Sequence, residues 1–114
     1  RKRIYRSDSL DYGKTWCQAY PTKLPNNCSG IDAAYGKDGI LAVVYNPVPH
    51  NWGKRTPLIV SISEDNGKTF SDSLYLEEEE GEFSYPSVTA EGDILHIIYT
   101  ANRRTFKYCQ IKYR

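Results

Sequence analysis

An all-β chain assembled from repeated, four-stranded sheets is what three observations predict. Short β-branched runs are broken by Gly, Asp and Asn; ten tyrosines occur with no methionine; and one pattern recurs after 54 residues. The runs are Ile40-Leu41-Ala42-Val43-Val44-Tyr45, Leu58-Ile59-Val60-Ser61-Ile62 and Ile94-Leu95-His96-Ile97-Ile98-Tyr99, each close to the usual strand length of about 5 to 6 residues. Their near-continuous apolarity predicts burial on both faces. No long helical period competes with them.

The recurrence lays Ser9-Leu10-Asp11-Tyr12-Gly13-Lys14-Thr15-Trp16 over Ser63-Glu64-Asp65-Asn66-Gly67-Lys68-Thr69-Phe70. The same offset sets Leu41 on Leu95, Val44 on Ile98 and Tyr45 on Tyr99. A shared turn would not carry the match into the strands, so whole supersecondary units repeat. A period near 50 residues holding about four short strands is the arithmetic of a β-propeller blade. In order, strands over 2–7 and 17–20 form the outer half of one blade within 1–22. Strands 30–35, 40–46, 56–62 and 73–77 complete a second within 23–77. Strands 84–89, 94–100 and 106–113 are the inner three of a third within 78–114. Propeller rings close with about four to eight blades, so about two blades predict a fragment, or a chain completed by further blades from its parent or from other chains. The rival arrangement is a compact sandwich, which would leave long, unprotected edge strands.

Fifteen basic against fourteen acidic side chains leave a formal charge of +1, so no one-signed field draws nucleic acid or an anionic membrane. No apolar run approaches the roughly 18 to 20 residues needed to cross a bilayer as a helix. The opening Arg1-Lys2-Arg3-Ile4-Tyr5 lacks the apolar core of a secretory leader, although a leader already removed would leave the same sequence. Cys17, Cys28 and Cys109 cannot all pair within one chain and match no zinc spacing. His50 lies in a Pro-rich loop and His96 on an apolar strand, so both read as structural. No metal or cofactor is expected. Asn27-Cys28-Ser29 is formally a glycosylation acceptor, a three-residue pattern that arises often by chance.

Each residue of the octet has a local mechanical reason. Ser9, Asp11 and Thr15, like Ser63, Asp65 and Thr69, bond nearby backbone groups; Gly13 and Gly67 supply a positive φ; and Trp16 and Phe70 pack back. Asp11 and Asp65 are therefore expected to be structural and not catalytic acids. Such octets resemble the Asp boxes of sialidase-type propellers, and two at blade spacing make the resemblance more specific than one.

From Leu24 to Arg103 the chain further resembles the C-terminal part of sialidases and of bacterial predicted neuraminidases. The landmarks are Asn27-Cys28-Ser29-Gly30-Ile31, then Arg55-Thr56-Pro57-Leu58 before the second box, then Gly81-Glu82-Phe83-Ser84-Tyr85-Pro86-Ser87. The resemblance implies a six-bladed parent. It also implies that Arg55 matches an arginine gripping the substrate carboxylate and that Tyr85 matches the nucleophile. A planar guanidinium suits a carboxylate, and tyrosine nucleophiles are the sialidase exception to the two-carboxylate rule of glycosidases. Glu82, three residues before Tyr85, would polarise the phenol or bind a substrate hydroxyl; otherwise it ends the solvated run Glu77-Glu78-Glu79-Glu80. Where many sialidases have Tyr-Glu, this chain has Tyr99-Thr100, and Asn102-Arg103-Arg104 is similar to the predicted-neuraminidase branch. Arg103 or Arg104 then adds charge to the pocket, and another acidic sugar becomes a candidate substrate. Asp32, on an innermost strand, is a second-rank substrate contact.

The expected partner is a glycan, cleaved by a retaining exo-glycosidase of which this chain is an inactive part. A noncatalytic glycan- or protein-binding segment and a polysaccharide lyase on the same scaffold are the alternatives.

Overall fold

A computed structural model of the chain describes residues 2–50 and 54–113; the centre of the Pro47–Lys54 loop lies outside the described residues. Nine strands run in order: β1 (Arg3–Arg6), β2 (Tyr20–Pro25), β3 (Asp32–Tyr35), β4 (Leu41–Tyr45), β5 (Leu58–Ser63), β6 (Asp72–Glu77), β7 (Phe83–Glu91), β8 (Ile94–Ala101) and β9 (Thr105–Lys112). They make three antiparallel, blade-like sheets ordered β1-β2, β3-β4-β5-β6 and β7-β8-β9. Among the described residues the chain is all-β apart from one short 3-10 turn at Lys37–Gly39.

The 54-residue period is visible in the pairing. Tyr5 faces Pro21 and Arg6 faces Tyr20 in the first sheet; Ile59 faces Tyr75 and Val60 faces Leu74 in the second. Both ladders also shift register one step earlier, between Arg3 and Tyr5 and between Leu58 and Ile59.

Alternation along the central strands explains how they are buried twice. Leu41, Val43, Tyr45 and Ile59 form one cluster with Leu24 and Ile4 of the first sheet and with Phe70 of the turn between β5 and β6. Ala42, Val44, Leu58 and Val60 point the other way, into a second cluster with Phe83, Val88, Leu95, Ile97 and Tyr99 of the third sheet. Successive side chains leave a strand on opposite faces, so a strand that is apolar throughout needs a neighbouring sheet on each side. Burying each of these branched side chains stabilises the fold by about 1.5–3 kcal/mol before conformational entropy is charged.

A polar tie also joins the second and third sheets. Tyr99 Oη donates to Glu77 Oε2 at 2.5 Å and Lys107 Nζ donates to the same oxygen at 2.8 Å. Burial raises the Tyr99 phenol above its ordinary range, and the bond to Glu77 raises it further. Burial pushes the Glu77 carboxyl upward, but the bonds from Lys107 and Tyr99 outweigh that and hold it below the usual carboxylate value.

Two sequence expectations need correction. The second strand lies at Tyr20–Pro25 and not at 17–20, because Cys17 still belongs to the box turn: its N–H donates to the Asp8 carbonyl at 2.9 Å. Burial of β8 is one-sided. Leu95, Ile97 and Tyr99 are buried while Ile98 is 47% exposed, since among the described residues no sheet covers the outer face of β8 and β9.

Candidate functional site

The two octets fold alike. Ser9 Oγ and Ser63 Oγ each donate to the aspartate two residues on at 2.8 Å and accept the N–H of Gly13 or Gly67 at 2.8 Å. Asp11 and Asp65 each accept the backbone N–H of Thr15 or Thr69 at 2.8 Å, and also the threonine hydroxyl at 2.5 and 2.6 Å. Gly13 and Gly67 both have φ of 86°, a left-handed value that glycine adopts without strain. The threonine hydroxyls, then the backbone N–H bonds, hold both carboxyls at about 2, well below the ordinary value. Trp16 Nε1 donates back to the Gly13 carbonyl at 3.1 Å.

Four other side chains from separate segments meet at the inner strands. Arg55 leads into β5, Glu82 precedes β7, Tyr85 lies in β7, and Arg103 sits on the β8–β9 turn. Arg55 Nη1 is 3.5 Å from Glu82 Oε1, and Arg103 Nε is 3.0 Å from the same carboxylate. The Arg55 guanidinium lies 5.5 Å from the centre of the Tyr85 ring, within cation–π range.

Local structure explains each placement. The Phe83 N–H donates to the Arg55 carbonyl at 2.8 Å, fixing the Arg55 segment against the start of β7. Asn102 and Arg103 both have positive φ, 54° and 56°, and Arg104 N–H closes the turn on the Ala101 carbonyl at 3.1 Å. This is the tight hairpin geometry that twisted strands favour, and it aims Arg103 at Glu82. Asn102 holds Glu82 from the other side: its N–H donates to the Glu82 carbonyl at 2.7 Å, and its Oδ1 accepts the Glu82 N–H at 2.9 Å.

Tyr85 is presented by a bulge. Ala33 pairs with Val43 and Tyr35 with Leu41, but their counterparts in the third sheet are Val88 with Ile97 and Ala90 with Leu95. Thus β7 carries one more residue than β3, inserted where its register shifts between Ser84 and Ser87. Tyr85 takes φ of 52° there and is 66% exposed. A left-handed conformation costs an L-residue about 1–2 kcal/mol, and bulges of this kind re-aim side chains. The ring lies against Gly30, where an added Cβ would stand 3.6 Å from Tyr85 Cδ1. The Tyr85 hydroxyl has no hydrogen-bond partner among the described residues.

Asp32 stands apart from this cluster. Its Oδ2 accepts the Val88 N–H at 2.9 Å and so ties β3 to β7. Asn27 is 4% exposed and its Nδ2 donates to the Lys54 carbonyl at 2.8 Å, so the formal glycosylation acceptor is spent on structure. All three cysteines are free. His96 bonds Tyr108 Oη through Nδ1 at 2.7 Å and Glu91 Oε1 through Nε2 at 3.1 Å. Among the described residues, no three His, Cys, Asp or Glu side chains gather as they would around a metal ion.

Sequence reasoning missed Asn46. This residue is fully buried, and its Nδ2 donates to the Pro57 carbonyl at 2.9 Å and the Phe83 carbonyl at 3.1 Å. Its Oδ1 accepts the Ser29 hydroxyl at 3.0 Å. One amide therefore pins the segments carrying Arg55 and Tyr85. The available signal was a lone amide directly after the apolar run Leu41–Tyr45.

Blade-like sheets that close on serine–aspartate turns at a fixed spacing are the architecture of Asp-box repeat proteins, and the fold places the chain in that class. The chain belongs to the BNR repeat-like domain family, whose sequence model matches residues 1–97. No curated protein and no solved structure gives a match to it.

Proposed function

We propose that this chain is the anion-gripping part of a sialidase-like glycoside hydrolase that removes terminal acidic sugars from glycans. One observation carries the reading: Arg55 and Arg103 converge on the Glu82 carboxylate while Arg55 also stands over the exposed ring of Tyr85. Each guanidinium has five N–H donors in a fixed fork. Glu82 occupies part of each fork and holds the two cations at one place, and the remaining donors take a sugar carboxylate. Among the described residues the hydrogen-bond and ion-pair partners of the Glu82 carboxylate are these two arginines, so here Glu82 positions them and the base for Tyr85 lies elsewhere.

In the reaction, Tyr85 Oη bonds to the anomeric carbon as the glycosidic bond breaks. The phenolic proton passes to a base, and the leaving oxygen takes a proton from an acid, both beyond the described residues. Water then releases the sugar with retention. A phenol spares the anionic substrate the repulsion that a carboxylate nucleophile would bring.

The Tyr85 hydroxyl, without a hydrogen-bond partner among the described residues, favours one second reading, a propeller segment that binds acidic sugars without cleaving them. Titrating the isotope-labelled chain with N-acetylneuraminic acid, galacturonic acid and galactose tests the grip. The acidic sugars should move the Arg55 and Arg103 Nε resonances, galactose should not, and Arg55→Met should abolish the response. Silence toward every acidic sugar would end the proposal. Turnover by the complete parent polypeptide that disappears in Tyr85→Phe supports the hydrolase; binding with unchanged turnover in that variant leaves only the binder.

A further inference from the structure

The strands that carry the anion grip are joined unequally in the second and third sheets. Residues 46–57 lead from β4 to β5, whereas 102–104 lead from β8 to β9, so the repeat itself does not call for so short a turn. The short turn sets Asn102 opposite Glu82, one step beyond the Phe83–Ala101 pair of the ladder. In an antiparallel ladder a hydrogen-bonded pair exchanges two main-chain bonds. Here the Asn102 N–H gives one of them, to the Glu82 carbonyl at 2.7 Å. The second comes from the side chain: with the Asn102 backbone turned to φ of 54°, its Oδ1 accepts the Glu82 N–H at 2.9 Å. Asparagine suits both demands, since its side chain bonds nearby backbone groups and its backbone tolerates positive φ.

Gly81 makes room for this clasp. A Cβ there would stand 2.8 Å from Asn102 Oδ1 and 2.9 Å from the Phe83 ring, on a backbone with φ of 154°. All three charged residues of the grip hang on the same frame. Glu82 is clasped directly, Arg103 follows Asn102 in the chain, and the Arg55 carbonyl accepts the N–H of Phe83, the residue after Glu82, at 2.8 Å. Packing fixes the two arginines unequally, for the Arg55 side chain is 27% exposed and that of Arg103 is 77% exposed. A long exposed side chain keeps most of its rotamer freedom, so the place of Arg103 depends on the turn beneath it.

Taking Arg55 and Arg103 as the anion grip proposed above, we infer that Asn102 is a positioning residue that sets the grip's specificity: by clasping Glu82 it holds the two guanidinia at the separation a planar carboxylate spans, and the site takes carboxylated sugars in preference to sulfated ones. A guanidinium presents its donors as a flat fork matched to the two oxygens of a carboxylate. A sulfate ester offers three oxygens in a tetrahedral arrangement, which two forks fixed around a carboxylate meet less well. Two loosened forks turn to meet either anion.

Galacturonic acid and galactose 6-sulfate are the probes, titrated into the isotope-labelled chain and read at the Arg55 and Arg103 Nε resonances. The unaltered chain should bind the uronic acid about tenfold more tightly or better. Asn102→Gly keeps the left-handed backbone accessible and removes Oδ1. With the fold intact by circular dichroism, this variant should lose about tenfold in affinity for galacturonic acid, as one hydrogen bond to a charged arrangement is ordinarily worth, and should bind the two anions alike. Asn102→Asp keeps an oxygen in the Oδ1 position; its added charge should weaken both anions and leave their ratio that of the unaltered chain. A ratio unchanged in Asn102→Gly, lost in Asn102→Asp, or near one in the unaltered chain would overturn the inference and leave the grip standing. Silence of the unaltered chain toward both anions would overturn the grip as well.

Discussion

Replacing Asn46 by alanine tests whether one buried amide organises the inner face. Two hydrogen bonds disappear, to the Pro57 and Phe83 carbonyls, together with a contact from the Ser29 hydroxyl, whose one proton also faces Asn27 Oδ1. At about 1 kcal/mol each, with two carbonyls left short of a donor in a dry site, the expected loss is about 3–5 kcal/mol. That is a large share of the roughly 5–15 kcal/mol by which a domain is stable. With a urea slope of about 2 kcal/mol per M the midpoint should fall by about 2 M, followed by far-ultraviolet circular dichroism. Asn46→Asp gives an independent check. Its carboxylate would face the same two carbonyls, so its pKa in the folded state rises above the unfolded value. The variant should therefore be least impaired at low pH and lose stability as pH climbs through the raised pKa. A loss from Asn46→Ala below about 1 kcal/mol at unchanged slope would refute the reasoning, since burial and these bonds could not then be worth what such groups ordinarily are.

Three further outcomes follow from the structure. Tyr85→Gly should leave stability within about 1 kcal/mol of the parent, because relief of the left-handed backbone offsets the entropy of glycine and the lost ring contact. Tyr99→Ala, which empties a buried site, should cost about 3–5 kcal/mol by the same urea measurement. A loss above about 2 kcal/mol at Tyr85 would mark it as a packing residue. For the boxes, Asp11 and Asp65 have folded values near 2 against an ordinary 3.8. Their contribution is fully present above the unfolded value and drains away as pH falls toward 2. The urea midpoint should drop across roughly pH 5 to 2, and less steeply in Asp11→Asn/Asp65→Asn; an unaltered pH slope in that variant would refute the assignment.

Much of the fold was legible because its cause is local. The octets carry their own hydrogen-bond partners within a few residues, and β4 and β5 are apolar enough to demand a sheet on either side. The misplaced β2 shows where local signals stop. The turn chemistry holds the chain through Cys17, and pairing resumes only at Tyr20. Ile98 misled because an apolar run states what a strand can bury, whereas its neighbours decide what it does bury. At the site, the residue types Arg55, Glu82, Tyr85 and Arg103 were legible and their grouping was not. It depends on a one-residue insertion in β7 and on two consecutive positive φ angles at Asn102 and Arg103. Pro86, a residue that sheets confine to edges and bulges, was the one hint of the first. Asn46 escaped because a single polar residue after a strand resembles an ordinary loop start.

Among the described residues the second sheet packs against both of the others, and this orders how they come apart. When units touch only their immediate neighbours, stability is close to a sum along a line and loosening starts from the ends. The slowest-exchanging amides then belong to β4 and β5, and the outer strands of the first and third sheets open independently of one another.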